Sequence, residues 1–321
     1  MPDLSVGGQA VIEGVMMRSK DRVATAIRVS SGEILVKSEE YISLTKRKKL
    51  LGIPILRGVI SFFEMLVIGI RTLNFSADIA VKEMEKAEAM IKGEVYIAKE
   101  RKSSSFVLIG TAIFALAVGI LVFFFVPLAI SSLFSEGKAA VGFNLVAGAV
   151  RVSLFLLYVW GISLFGEFKR VFQYHGAEHK SIFAYENNAE LTPESVSQYS
   201  TFHPRCGTSF ILIVALFAIL IYSFSDTIYT VLAGTPPSLL RRFLIHFSLL
   251  PLVAGGAYEL LKLSGKTRDN GLTKFLIQPG LWLQRITTKE PTPAQMEVAI
   301  VALETALGMT ESRLTVKKTC L

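Results

Sequence analysis

Apolar and polar positions follow three different patterns along the chain, and each predicts a different element. In the middle, long runs carry almost no charge: Ser103–Ser135 has none, and Val141–Phe165 has only Arg151. Thr208–Phe224 and Phe243–Leu261 continue the pattern, the latter broken only by His246 and Glu259. Runs near ~20 apolar residues are what a helix needs to cross a bilayer, so four transmembrane helices is the economical count. Near the start, Thr25–Val29 and Ile34–Lys37 are short apolar-rich runs around Ser30-Ser31-Gly32-Glu33, the pattern of a hairpin. The Gly-punctuated segment Gly7–Arg18 ahead of them predicts a strand followed by a turn.

The third pattern is helical. Arg57, Glu64, Arg71 and Asp78 recur every seven residues on an otherwise apolar segment whose core, Val59–Ile70, is too short to span. That predicts a helix lying in a membrane interface or packed on the membrane domain. Val81–Lys102 is charged and reads as a separate helix leading into the first span. Glu167–Tyr185 predicts a helix continuing from the second span. Within Pro291–Leu307, residues Met296, Ala299, Ile300, Leu303 and Leu307 share one face, with Thr292 as cap and Pro293 in the first turn. This helix is expected to pack one face on its neighbours.

Composition agrees with a membrane protein: of 321 residues, 51% are hydrophobic, and mean hydropathy is +0.50. The net charge of +8 therefore speaks to topology before nucleic acid, and no nucleic-acid partner is expected. Lys46–Lys49, Lys99, Arg101 and Lys102 precede the first span. Lys169, Arg170, Lys180 and Arg205 separate the second and third, and Lys262, Lys266, Arg268 and Lys274 follow the fourth. The first external loop has only Lys138, although Arg241 and Arg242 run against the trend. The positive-inside rule puts both termini and the loop around Lys180 in the cytoplasm. The first forty residues hold no signal-peptide h-region. Cys206 and Cys320 both fall on the reducing side, so no disulfide is expected.

Within that loop lies the chemistry. His175-Gly176-Ala177-Glu178-His179-Lys180 places two imidazoles four residues apart on one helix face, with Glu178 one step round and Glu186 on the same side two turns later. The order H-x-x-E-H matches the inverted zinc-peptidase pattern, in which two His hold zinc and Glu activates water. His203-Pro204-Arg205-Cys206 follows just before the third span, where a helix N-terminus favours a thiolate. His175, His179, His203 and Cys206 would make a complete tetrahedral set, suited to a structural zinc; leaving one off opens the site for catalysis. Glu259, near the cytoplasmic end of the fourth span, is a further candidate ligand, with snorkelling or a pair with Lys262 as its plain alternative. A nucleophilic Cys206 with His203 lacks a third orienting group. Arg151 reads as a structural partner or anchor, and His246 as a packed polar residue. Glu13 reads as one half of a pair with an Arg or as a contributor to the site.

Gly7–Arg18, Arg57-Gly58, His175–Lys180, His203–Ser209, the Glu259 stretch and a Gln278-Pro279-Gly280 turn together resemble the YqhQ-like bacterial membrane family. The resemblance covers nearly the whole chain. That family is a domain of unknown function predicted to be a metal-dependent enzyme, which implies a bacterial inner-membrane protein with a metal site and no named substrate.

The expected fold is mainly α: a polytopic membrane protein of about four spans with a small α/β N-terminal cytoplasmic region. Residues 1–102 form that region, 103–263 the membrane domain with its metal-site loop 166–208, and 264–321 a cytoplasmic tail with an amphipathic helix. The expected activity is zinc-dependent hydrolysis, peptidase-like, at the cytoplasmic membrane face. His175 and His179 bind zinc, His203, Cys206 or Glu259 complete the shell, and Glu178 is the general base. The alternative is a non-enzymatic scaffold or transporter-like protein with a structural zinc. The sparse charge of the spans counts mildly against an ion-coupled transporter.

Overall fold

The computed structural model describes residues 6–93, 105–134, 140–204, 206–266, 271–309 and 316–318. Lys99, Arg101, Lys102, Lys138, Arg205, Arg268 and Cys320, named above, lie outside the described residues.

Strands β1 (Gly7–Val11), β2 (Gly14–Arg18), β3 (Arg22–Arg28) and β4 (Ile34–Glu40) form an antiparallel meander, and β5 (Val316–Lys318) adds in parallel beside β4. The sheet order is β1-β2-β3-β4-β5, which leaves β1 on an edge. The expected hairpin is β3–β4. The expected single strand and turn at Gly7–Arg18 is instead a second hairpin closed by Ile12-Glu13, with Glu13 at φ 53. A non-glycine residue seldom sits there; Glu13 is held in place by a bidentate pair with Arg170, and it takes no part in the cluster described below.

After the short helix α1 (Leu44–Arg47) comes α2 (Leu56–Lys92), 37 continuous residues and about 55 Å long. The helix expected at Arg57–Asp78 is thus joined to the described part of the one expected at Val81–Lys102, whose remainder, 94–102, lies outside the described residues. No Gly or Pro lies between Asp78 and Val81, and the helix ends only at Gly93, in the left-handed region. Part of its polar stripe docks: Arg57 pairs with Glu259, and Glu64 accepts from Ser43 Oγ (2.8 Å) and Leu44 N–H (2.6 Å).

The apolar bundle follows. It comprises α3 (Ser105–Ile120), a π-helical turn (Leu121–Phe125), α4 (Val126–Phe134), α5 (Ala140–Ser163), and, after α6 (Gly166–Glu186) and α7 (Pro193–Ser197), α8 (Gly207–Ala233). Then come α9 (Leu239–Ser248) and α10 (Leu250–Lys266). Three helices, Ile113–Phe134, Ala140–Ser163 and Ile213–Ala233, are long and apolar enough to cross a membrane; α9 and α10 make a fourth if counted as one span. That pair bends by 49° where the sequence predicts one straight span. The bend falls beside Pro251, which lacks the N–H to continue the helix ladder. The third apolar helix extends beyond Phe224 to Ala233, past the fully buried Asp226.

Gln278-Pro279-Gly280, expected as a turn, lies inside α11 (Gly271–Thr287). Last comes α12 (Pro293–Leu307), with the expected Thr292 cap and Pro293 in its first turn, reinforced by the Gln295 side chain reaching back to the Thr292 N–H. Its setting differs from the expectation of one packed face. Met296 and every residue from Val298 to Leu303 are buried, because α12 lies between α6 and one face of the N-terminal sheet. Arg28 of β3 pins it through Glu297 and the Ala294 carbonyl (2.9 Å). Segments from all three expected regions therefore share one core: the N-terminal sheet, α6 and α12. The other face of the sheet, at Val11, Met16 and Val23, packs on Met65 and Ile68 of α2.

Candidate metal centre

Helix α6 restarts after a break at Leu164-Phe165, where Phe165 is extended, and so aims independently of α5. Its third turn lies against the backbone of Lys289, whose N–H donates to the Phe172 carbonyl (2.9 Å). A Cβ on Gly176 would stand 2.1 Å from the Lys289 carbonyl oxygen, so only glycine permits this approach. The approach sets the two imidazoles under the end of α11.

Both rings are oriented by backbone carbonyls. Nδ1 of His175 donates to the Thr287 carbonyl (2.8 Å) and Nδ1 of His179 to the Thr201 carbonyl. A carbonyl only accepts, so each Nδ1 carries the proton and each Nε2 keeps its lone pair. The Nε2 of His175 lies 3.3 Å from Cys206 Sγ, and the ligand atoms of His175, His179 and Cys206 all fall within 4.8 Å of one another. Among the described residues, His179 Nε2 is buried with no hydrogen-bond partner of normal geometry. Three electron-pair donors facing one another, one of them an orphaned buried nitrogen, fit a tetrahedral cation such as zinc with one corner left for a fourth ligand.

Burial pushes the His179 imidazole below its ordinary pKa, opposed by the Cys206 thiol and the Thr201 carbonyl, so the ring stays neutral and able to ligate. Burial also raises the Glu178 carboxyl, opposed by His175, His203 and a hydrogen bond from Gly8 N–H. Glu178 Oε2 lies 3.8 Å from His175 Nε2, beside the three donors.

Two expected ligands are placed differently. His203 is next to the group, its ring centroid 5.6 Å from that of His179, but its Nε2 is 3.5 Å from Glu186 Oε1 and its ring packs on Phe183. Glu259 turns both carboxylate oxygens to Arg57 and stands outside the cluster. A residue the sequence did not signal does enter. Fully buried Gln284 of α11 accepts from His203 N–H (2.8 Å) and donates to the His203 carbonyl (2.9 Å), fixing the turn in which Cys206 N–H donates to that same carbonyl (3.2 Å). Nothing local to Gln284 marks this role. Lys180, also buried, donates to the Ser197 carbonyl (2.7 Å) and pairs with Glu290 (2.6 Å), which ties α6 to the loop before α12.

The cluster opens into a cavity of about 840 Å³. Edge strand β1 (Gly7 to Ala10) forms one wall, with Met65 of α2 and Tyr258 of α10 nearby and Arg18, Lys20 and Lys46 among the lining residues.

Comparison with known proteins shows the family and names no reaction. A family model described as "Protein of unknown function (DUF1385)" matches residues 53–309. The chain is 36% identical over 318 residues to "Uncharacterized protein YqhQ" of Bacillus subtilis (strain 168), covering 94% of this chain and 92% of that protein. No solved structure matches. With the model spanning most of its length and a relative this similar end to end, the chain belongs to the DUF1385 family.

Proposed function

We propose that this protein is an integral-membrane, zinc-dependent hydrolase, peptidase-like, whose site lies at the cytoplasmic face of the bilayer. The observation that carries the reading is the convergence of His175, His179 and Cys206 donor atoms within 4.8 Å, with buried Glu178 beside them, on the floor of a cavity. The apolar helices and the large side chains on the outside of the bundle, such as Phe114, Leu116 and Leu232, favour lipid around it. The exposed apolar row of α2, including Phe63, Leu66 and Ile70, favours contact with the membrane surface.

His175, His179 and Cys206 would hold the zinc, which supplies Lewis acidity toward a carbonyl and toward water when bound. Cys206 stands one residue before α8, so its sulfur sits at the mouth of that helix beside the two imidazoles. Glu178, with its carboxyl pKa raised by burial, accepts a proton from the attacking water and passes it to the leaving group. Gly8 N–H holds that carboxylate in place.

A structural zinc closed by His203 is the second reading, favoured by the nearness of that ring to His179. Purified protein in detergent separates the two. A hydrolase should hold one zinc per chain and keep it in Glu178→Gln while losing cleavage of a membrane-protein or peptide library; His175→Ala should lose the zinc. A scaffold should tolerate Glu178→Gln in every assay. Wild-type protein without stoichiometric metal after expression in zinc-replete medium would refute both.

A further inference from the structure

Edge strands with open backbone groups pair readily with other chains, so natural sheets usually cover them. Here the edge strand β1 is set in a groove and forms a wall of the metal-site cavity. Its hairpin register decides which groups look outward. Val11 and Gly14 close a two-residue turn and so exchange hydrogen bonds, as do the pairs Gln9–Met16 and Gly7–Arg18. Gly8, Ala10 and Ile12 are the alternate positions, and their N–H groups point away from β2. Two of these are accounted for: Gly8 N–H donates to Glu178, and Ile12 N–H donates to Ser76 Oγ of α2 (3.2 Å). Ala10 lies between them, half-buried, and lines the cavity.

The groove walls are close. Gln9 packs against Gly69 of α2 on one side, and Gly8 against Glu178 of α6 on the other. A single extended chain needs only the ~4.8 Å spacing of one more strand to pair with such an edge. The floor of the groove is the donor cluster.

We infer that the substrate is an extended polypeptide segment, which pairs its backbone with the outward groups of Ala10 and the Gly8 carbonyl and so passes its own amide across Glu178 and the His175–His179–Cys206 cluster. This rests on the hydrolase reading above and gives it a substrate class. Strand addition draws affinity from main-chain hydrogen bonds, which makes it tolerant of sequence. A charge preference comes from the cavity end near Gly7, where Arg18 of the paired strand and Lys20 supply positive charge, while Lys46 there is paired with Asp21. An acidic side chain or a free carboxylate of the segment is complementary to that end.

Binding of two zinc-directed probes to the zinc-loaded full chain in detergent tests the inference without a known substrate. Acetohydroxamate reaches the metal alone; an acetylated Leu-Leu-Gly hydroxamate adds a strand. The tripeptide probe should bind at least 30-fold more tightly, and N-methylating its backbone amides should remove most of that gain. Ala10→Pro, which deletes one outward donor while sparing the β2 ladder, should do the same and leave zinc content and acetohydroxamate binding unchanged. The N-methyl probe gives the answer on wild-type protein should Ala10→Pro misfold. Equal affinity of the two probes, or indifference to N-methylation, overturns strand pairing while leaving the hydrolase reading intact. Failure of both hydroxamates to bind the zinc-loaded chain overturns the open-site hydrolase reading in favour of the closed structural zinc, and this inference with it.

Discussion

Two clusters of buried ionisable side chains among the described residues solve burial in opposite ways. In the apolar bundle, Asp226 accepts from Asn144 Nδ2 (3.0 Å) and lies 3.0 Å from His246 Nε2 and 3.2 Å from Arg242 Nε. Donors of three kinds converge on one carboxylate, while Tyr222 stacks on His246 and Phe143 lies under the Arg242 guanidinium. At the end of α6 the convergence is of electron-pair donors: two Nε2 atoms and a sulfur face one another beside a carboxylate. The first group balances its charges within the protein, although Arg242 Nε and His246 Nδ1 are buried without a hydrogen-bond partner of normal geometry. The second is chemically one-sided, and a cation is the partner it fits. Burial of charge alone therefore does not mark a site; the imbalance of donors and acceptors does.

The comparison can be broken by substitution. Asp226→Ala strands a guanidinium and an imidazole without their acceptor and should cost about 3–5 kcal/mol, read as a lowered unfolding midpoint in detergent. A neutral result would mean that the bundle cluster is not self-satisfied. Gly176→Ala drives a methyl into the Lys289 carbonyl and should cost about 1–3 kcal/mol. Zinc affinity should fall with it, since the Thr287 carbonyl that orients His175 belongs to the same junction. Gln284→Ala removes both hydrogen bonds to the His203 backbone and should cost about 1–2 kcal/mol. Competition with a chelator should show zinc leaving this variant sooner; unchanged retention would make Gln284 a packing residue only. Smallest is Arg57→Ala. Its pair with Glu259 is solvent-screened, so the unfolding midpoint should barely move, with zinc stoichiometry unchanged as measured by mass spectrometry of the native protein. Loss of zinc there would draw Glu259 back toward the metal.

Local pattern made much of this architecture legible. The α12 cap is written in Thr292, Pro293 and Gln295, and the β3–β4 hairpin in the runs either side of Ser30–Glu33. The paired imidazoles of α6 followed from a four-residue spacing. Long-range choices were not legible. For Glu259 the sequence offered the metal or a pair with Lys262, yet its carboxylate is claimed by Arg57, 202 positions away. Asp226, at the end of an apolar run, gave no sign of the Asn144 and Arg242 it meets. The amphipathic spacing of α12 named one buried face, but its middle residues are Val298, Ala299, Ile300, Val301 and Ala302. That all-round apolar run is itself the signature of a helix buried on every side.

The placement of α12 has a consequence for how the molecule is made. Strands β2 and β3 emerge from the ribosome first, yet the helix that covers their apolar face emerges after every helix of the bundle. Until then Met17, Ala24 and Ala26 lack their cover, and the α6 donors lack Thr287 and Gln284, which hold His175 and the turn before Cys206. Synthesis thus delays the cluster until α11 and α12 have followed the bundle. A nascent chain arrested before Gly271, with α11 and α12 still unmade, should exchange zinc freely, and the chain that includes both should retain it.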